Sequence, residues 1–179
     1  MKTRTDIHFS SVTISGKRIK LVPISDLYAD TIFKEFTDDI TRLMMPATPT
    51  HMDQIHDFIH ASISNMEQNL DLTFAILDKN TEQFLGVCAL HGQPTPNQPI
   101  LGIWLKQSAH GNHFGQEAIQ HLAEWARLNL IYDFMVYPCD KDNIASRKIA
   151  EKLNGTIFRT AEVKSMSGRV LNEVAYKID

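Results

Sequence analysis

Cysteine is scarce in this chain. Cys88 and Cys139 are the only two, too few for a disulfide framework. Both fall in apolar, strand-like runs, which predicts two reduced thiols in a cytoplasmic protein. A long hydrophobic run is also missing: nothing approaches the roughly 20 residues needed to span a bilayer, so no membrane partner is expected. The start, Met1-Lys2-Thr3-Arg4-Thr5-Asp6, lacks the apolar centre of a secretion signal. Nor is there an excess of positive charge. Lys and Arg number 18 against 21 Asp and Glu, a net charge of -3, which argues against a nucleic-acid partner and mildly suits a cationic substrate. No repeat, low-complexity tract or linker interrupts the chain. What is there is ordinary for one globular domain over 1–179: 179 residues, 43% hydrophobic and 22% charged, enough to bury a core.

Periodicity gives the outline. Val12–Ile14 and Arg18–Val22 around Gly16 read as a hairpin or bent strand. Ser25-Asp26 can cap a helix to about Phe36, with Leu27, Ala29, Ile32, Phe33 and Phe36 inward. After the loop Met44–Thr50, a second helix from about His51 to Met66 carries Ile55, Phe58, Ile59, Ile63 and Met66 at helical spacing. Asp71–Leu77 and Gln83–Leu90 form a hairpin pattern, and Ile100–Leu105 is the next strand. A helix over about 116–128 buries Ala118, Ile119, Leu122, Ala123 and Ala126. Phe134–Tyr137, a strand following a helix, predicts one parallel crossover. Asn143–Leu153 is helical and ends at Asn154-Gly155. Thr156–Phe158 and Leu171–Ile178 close the chain as strands. The class is α+β, with a mostly antiparallel sheet and a short parallel segment.

The most informative segment joins the strand Leu101–Leu105 to a helix through Gln107-Ser108-Ala109-His110-Gly111-Asn112-His113-Phe114-Gly115-Gln116. A glycine-containing loop entering a helix leaves free backbone N–H groups at the helix start, a site for a phosphate or pyrophosphate. No Lys-Ser/Thr follows the last glycine, so this is not a Walker A loop. No G-x-G-x-x-G precedes the helix, so it is not a dinucleotide fingerprint. A tight turn before a helix is the plainer alternative. In a second block, Asp142–Gly155, Asn143 and Ser146 lie one turn apart on a helix face. Asn143 also suits an N-cap. His56 and His60, spaced i, i+4 with Asp53 and Asp57 nearby, lack a His-Glu-x-x-His pattern or a cysteine partner. They read as a solvated face, and no metal is expected.

These two blocks, in this order, resemble the GNAT superfamily of acyl-CoA N-acyltransferases. The family's loop, Arg/Gln-x-x-Gly-x-Gly/Ala, is matched by His110, His113 and Gly115; only Gly115 is retained, and histidines stand at the other two positions. Asn143-Ile-Ala-Ser146 with Glu151-Lys152-Leu153 resembles the family's second segment. Arg18-Ile-Lys-Leu-Val-Pro23 and Leu101-Gly-Ile-Trp-Leu105 are similar to the RimJ/RimL branch, which acetylates N-terminal amines of ribosomal proteins, among other amines. The resemblance spans nearly the whole chain.

It implies a GNAT fold: a mixed, mostly antiparallel twisted sheet with helices on both faces. It also implies a strand splayed by a bulge near Ile103–Leu105, beside which the pantetheine arm of acetyl-CoA lies. The implied cofactor-binding residues are Ile103, Trp104, Leu105, His110, Gly111, Asn112, His113, Phe114, Gly115, Gln116, Asn143 and Ser146. Ser146 would protonate the leaving thiolate. The glutamate that many relatives carry before the Ile-Gly pair is Ile100 here, and a tyrosine used outside this branch is Ala150. The base expected first is therefore Glu162, ahead of Glu173, His91 or a water relay. The acceptor is a protein N-terminus first and a small amine second. A homodimer, and an acyl-CoA-binding module without turnover, are further readings.

Overall fold

The computed structural model describes residues Met1–Asp179. β1 (Lys2–Thr3) pairs apart from the main sheet with β7 (Leu130–Ile131). The main sheet has eight strands: β2 (Ile14–Ser15), β3 (Ile19–Pro23), β4 (Asp71–Asp78), β5 (Phe84–His91), β6 (Ile100–Leu105), β8 (Met135–Asp140), β9 (Thr156–Lys164) and β10 (Val170–Ile178), in the order β2-β3-β4-β5-β6-β8-β10-β9. All neighbours are antiparallel except β6 and β8. The helices are α1 (Ala29–Glu35), α2 (Asp38–Thr41), α3 (Met52–Glu67), α4 (Phe114–Asn129) and α5 (Ile144–Lys152).

The helices divide between the two faces, and β6 displays the division. Ile103 and Leu105 point toward α4, where their methyl groups stand beside Gly115. Trp104, between them, points the other way and meets Phe36 at the end of α1, ring centroids 4.7 Å apart. Alternation at period 2 therefore splits one strand between two layers. β4 and β5 are covered on both faces, and seven of the eight residues of each are buried, as expected of strands sandwiched between helices.

Three expectations need correction. The first helix starts later: Asp26–Tyr28 is a 3-10 turn, Ser25 makes no side-chain cap bond, and the α-helix begins at Ala29. The tighter turn rotates Leu27 off the inward stripe, and it is 81% exposed. Phe58, expected inward on α3, is partly exposed and borders a cavity. β9 runs on to Lys164, well past Phe158. It pairs only with β10 and is largely exposed, so its polar residues carry no alternating apolar signal.

Candidate active site

The parallel contact between β6 and β8 is one residue pair long, Ile100 with Val136. Its cause is in the sequence. The Val136 N–H donates to the Pro99 carbonyl at 2.9 Å. The next residue to face β6 from β8 is Pro138, which has no N–H to give. The two strands part there. On its other edge β6 stays in continuous register with β5 as far as Leu105 opposite Gly86. The strand is therefore splayed as expected, but without the bulge near Ile103–Leu105. The same alternation that turns the Pro99 carbonyl toward β8 turns the backbone groups of Ile103 and Leu105 into the gap. Trp104 turns its backbone toward β5 and its ring to the opposite face, so only its side chain borders the gap.

A cavity of about 910 Å³ passes through this opening and is bordered by residues from both faces of the sheet. On the α4 face it meets the loop. Gly111 has φ +76° and His113 φ +60°, two left-handed positions that curl the backbone so that successive N–H groups point to one side. Glycine takes this conformation freely at 111; histidine at 113 takes it at some cost. The first-turn amides of α4, Phe114 to Gln116, have no intrahelical partner. Gly115 sits where a Cβ would lie 3.4 Å from methyl carbons of Ile103, Leu105 and Ile149, so the helix start lies close against β6 and α5.

Neighbouring side chains brace the loop. The His110 Nε2–H donates to the Leu105 carbonyl at 2.9 Å. Arg18, delivered by the β2–β3 turn, donates to the Asn112 carbonyl at 3.0 Å and to Glu117 at 2.9 Å. Burial alone would raise the Glu117 carboxyl, but the Arg18 amide and guanidinium outweigh it and hold the group below the usual carboxylate range. Lys17, Arg18, His113 and His121 border a shallow depression beside the helix start. Of the expected cofactor residues, His110, Gly111, His113, Gly115 and Gln116 border the main cavity; Asn112 and Phe114 do not.

On α5, Asn143 is the N-cap: its Oδ1 accepts from the Ser146 N–H at 3.1 Å. Both residues also border the cavity. The Ser146 hydroxyl shares a hydrogen bond of 3.0 Å with the Tyr137 hydroxyl, whose proton is held tightly because burial raises its pKa. Cys139 lies close by, its thiol pushed up to about 11 by burial. It stays protonated near neutrality and is a poor nucleophile.

On the opposite face the cavity is bordered by Phe36, Trp104, Met44, Met45, His91 and Glu173. Thr41, buried, and Thr48 share a hydrogen bond of 2.6 Å that closes the loop carrying both methionines. Glu173 is paired with Arg159 at 3.0 Å. Glu162, expected first as base, is exposed and not on the cavity. It pairs with Asn172, whereas Val163 and Leu171, paired with each other, face the cavity. A shift of one position along a strand sends the side chain to the other face. Sequence reading assigned Glu162 by position in a resembling tail and could not fix that parity.

His56 and His60 find a partner the sequence did not offer, Asp26 from the 3-10 turn, at 2.9 and 3.0 Å. The three groups have ligand atoms near enough to hold a cation. As they stand they form hydrogen-bonded pairs at the surface; Ile55 and Phe58 of α3, the histidines' helix, border the cavity, whereas these three residues do not. No helix is long and apolar enough to cross a membrane.

The sequence profile described as "Acetyltransferase (GNAT) domain" matches residues 18–156. No curated protein matches the chain by sequence. Among solved structures, it is similar to an acetyltransferase from Salmonella typhimurium that modifies the N-terminal serine of ribosomal protein L7/L12. There the identity is 18%, the TM-score 0.79, and the alignment covers 94% of this chain and 100% of the other. It is also similar to the microcin C7 self-immunity acetyltransferase MccE, solved with acetyl-CoA and AMP, at 19% identity, TM-score 0.77, and 90% and 92% coverage. A GCN5-related N-acetyltransferase from Brucella melitensis aligns at 16% identity, TM-score 0.77, over 99% of this chain and 81% of the other.

Proposed function

The chain belongs to the GNAT acetyltransferase family, and from that premise we propose that it moves the acetyl group of acetyl-CoA to a primary amine, first of all the N-terminal amine of a protein, such as a ribosomal protein. The observation that carries this reading is the opening between β6 and β8 that joins the amide-rich start of α4 to a pocket on the other face. A diphosphate fits the amides of Gly111–Gln116, and the backbone of Ile103 and Leu105 suits an extended amide-bearing arm lying beside β6. Lys17 beside the helix start suits further phosphate.

Acetyl-CoA supplies the activated acyl group. The chain's own residues bind, orient and move protons. Asn143 and Ser146 border the middle of the cavity, and Ser146 is the donor to the departing sulfur, its hydroxyl oriented by Tyr137. The pocket on the other face receives the amine, between the methionine loop and β10. A protein N-terminus is favoured by chemistry: an α-amine titrates near about 8 and a lysine near about 10.4, so the former reaches its neutral, nucleophilic form more readily. The similar ribosomal-protein acetyltransferase supports the same order. Two free cysteines fit a reducing, cytoplasmic setting. The open edge of β9, with Ile157 and Phe158 partly exposed, is where a second copy would add to make a dimer.

The test pairs binding with turnover. Acetyl-CoA should raise the melting temperature, and free thiol should appear with a peptide bearing an unblocked N-terminus and not with its N-blocked, lysine-containing counterpart. Binding without amine-dependent thiol release would make the chain an acyl-CoA-binding module. No binding at millimolar acetyl-CoA would overturn the reading.

A further inference from the structure

We propose that His91, oriented by Asp71, is the general base that removes the acceptor's proton. The proposal rests on the acetyl-transfer reading above. Three observations on different elements carry it.

First, His91 ends β5 and borders the cavity on the face away from α4. At Gly102 of β6, the nearest atoms to a Cβ position are His91 Nε2 at 3.8 Å and Cδ2 at 4.0 Å. With no side chain at Gly102, the space beside Nε2 over β6 stays open. No protein group hydrogen-bonds it. Second, Nδ1 lies 3.6 Å from Asp71 Oδ2 on β4, directly across the ladder. That is beyond a direct hydrogen bond and close enough for strong charge interaction. Third, Asp71 is itself fixed: buried, it accepts from the Gly92 N–H at 2.8 Å and from Asn65 Nδ2 at 3.0 Å. Burial alone would raise its carboxyl; the His91 ring and these two donors outweigh that and hold it low, so it stays ionised. An ionised carboxylate on the Nδ1 side favours the tautomer with Nδ1 protonated and Nε2 free to accept. Other charged groups also look onto this space. The Met1 ammonium lies near Asp71, and Asp39, Arg42, Asp140 and Glu173 border the cavity. Glu173 is the rival base, but its Oε1 accepts a hydrogen bond from the Arg159 guanidinium at 3.0 Å and is already engaged.

The proton count closes. An ammonium becoming an amide loses two protons from nitrogen. The C–N bond forms and the C–S bond breaks, with its electron pair leaving on sulfur. One proton ends on that sulfur, and the other passes through His91 Nε2 to solvent, which the 42% exposed ring can reach.

Three measurements test it. In the wild-type protein, the ¹⁵N shifts of the His91 ring should report the Nδ1–H tautomer, and D71N should lose that bias. H91Q should bind acetyl-CoA as before while kcat falls about 100-fold, and its kcat/KM–pH profile should keep only the limb set by the acceptor's own amine. D71N should lower kcat with acetyl-CoA affinity unchanged, since the ring is no longer held in the tautomer that accepts at Nε2. A folded H91Q with unchanged kcat and pH profile overturns the proposal, as does an Nε2–H tautomer in the wild type. Absence of turnover in the wild type would instead overturn the acetyl-transfer reading beneath it.

Discussion

The cavity has two mouths, and they are built by different means. The mouth at α4 is made almost wholly from one continuous segment, β6 through the start of the helix, and from backbone groups. The mouth on the other face is assembled from side chains on α1, the methionine loop, β5 and β10. Backbone amides grip a ligand part that does not vary, such as a diphosphate, and they resist substitution because every residue type except proline has an N–H. Side chains on separate elements shape a pocket that can change without disturbing the sheet. One mouth is suited to a constant partner and the other to a particular acceptor. The gap between β6 and β8, opened at Pro138, lets each work without the other.

Crowding the first mouth is the strongest way to break this contrast. In Gly115→Val the Cβ alone already contacts three methyl groups at 3.4 Å, and the two further carbons crowd the junction of α4 with β6 and α5. Overpacking of this kind costs about 1–3 kcal/mol. Acetyl-CoA affinity should fall about tenfold or more by calorimetry, with the melting temperature measured alongside to confirm a folded protein. Unchanged affinity would place the diphosphate away from this loop. Arg18→Ala is the next test. It frees the Asn112 carbonyl and leaves Glu117, whose side chain is 13% exposed, without its cation. Acetyl-CoA binding should weaken a few-fold, the acceptor KM should not change, and stability should drop by about 1–3 kcal/mol. The sign with pH follows from the depressed Glu117 carboxyl. Its stabilising contribution is present above the ordinary carboxylate range and is lost as pH falls through the folded-state value. The variant should therefore show a shallower loss of stability toward acid.

The same contrast governs what could be read in advance. The α4 mouth was legible because its residues are contiguous: Gly111, Gly115 and the helix that follows announce free amides whatever the rest of the fold. Asn143 and Ser146 were legible by helical spacing. The parallel crossover was readable too, since a strand follows a helix at Phe134. The other mouth was legible only in part: His91 and Glu173 stood among the candidate bases, and both border it. Phe58 and Leu27 were assigned inward by a period that says which residues share a face but not which neighbour that face meets. Glu162 failed on strand parity, and parity on β9 is unreadable where the strand is exposed. His91 and Asp71 lie twenty residues apart and meet only because β4 and β5 pair in this register. Pro138 did carry a signal for the gap, but only to a reader who already knew which edge of β8 it faced.

Met45→Ala sharpens the comparison from the second mouth. Met45 borders the cavity, is 46% exposed, and its carbonyl accepts from the Met166 N–H at 2.9 Å, so its loop is tied to the β9–β10 turn through backbone alone. Removing the side chain leaves that tie. The acceptor KM should rise about threefold, in keeping with the loss of a half-buried apolar contact, while acetyl-CoA affinity stays the same. A matching loss of acetyl-CoA affinity would mean that the two mouths are not independent.

The smallest effect is expected where neither mouth is involved. Asp26 is exposed, with half its side chain open to solvent, and its carboxyl is held low by hydrogen bonds from His56 and then His60, which outweigh the slight opposing effect of burial. A group depressed on folding contributes stability above its unfolded value, and that contribution is lost as pH falls through the folded value. Exposed pairs are weakened by solvent and salt. Asp26→Asn should therefore leave kcat and both affinities unchanged, lower the melting temperature at neutral pH by an amount near the limit of detection, and slightly flatten the decline below pH of about 4. Melting scans at low and high salt check this, since the wild-type advantage should shrink with salt. A change in acceptor KM in this variant would mean that the pairing of Asp26 with α3 reaches the second mouth through Phe58, the α3 residue that borders both the pocket and solvent.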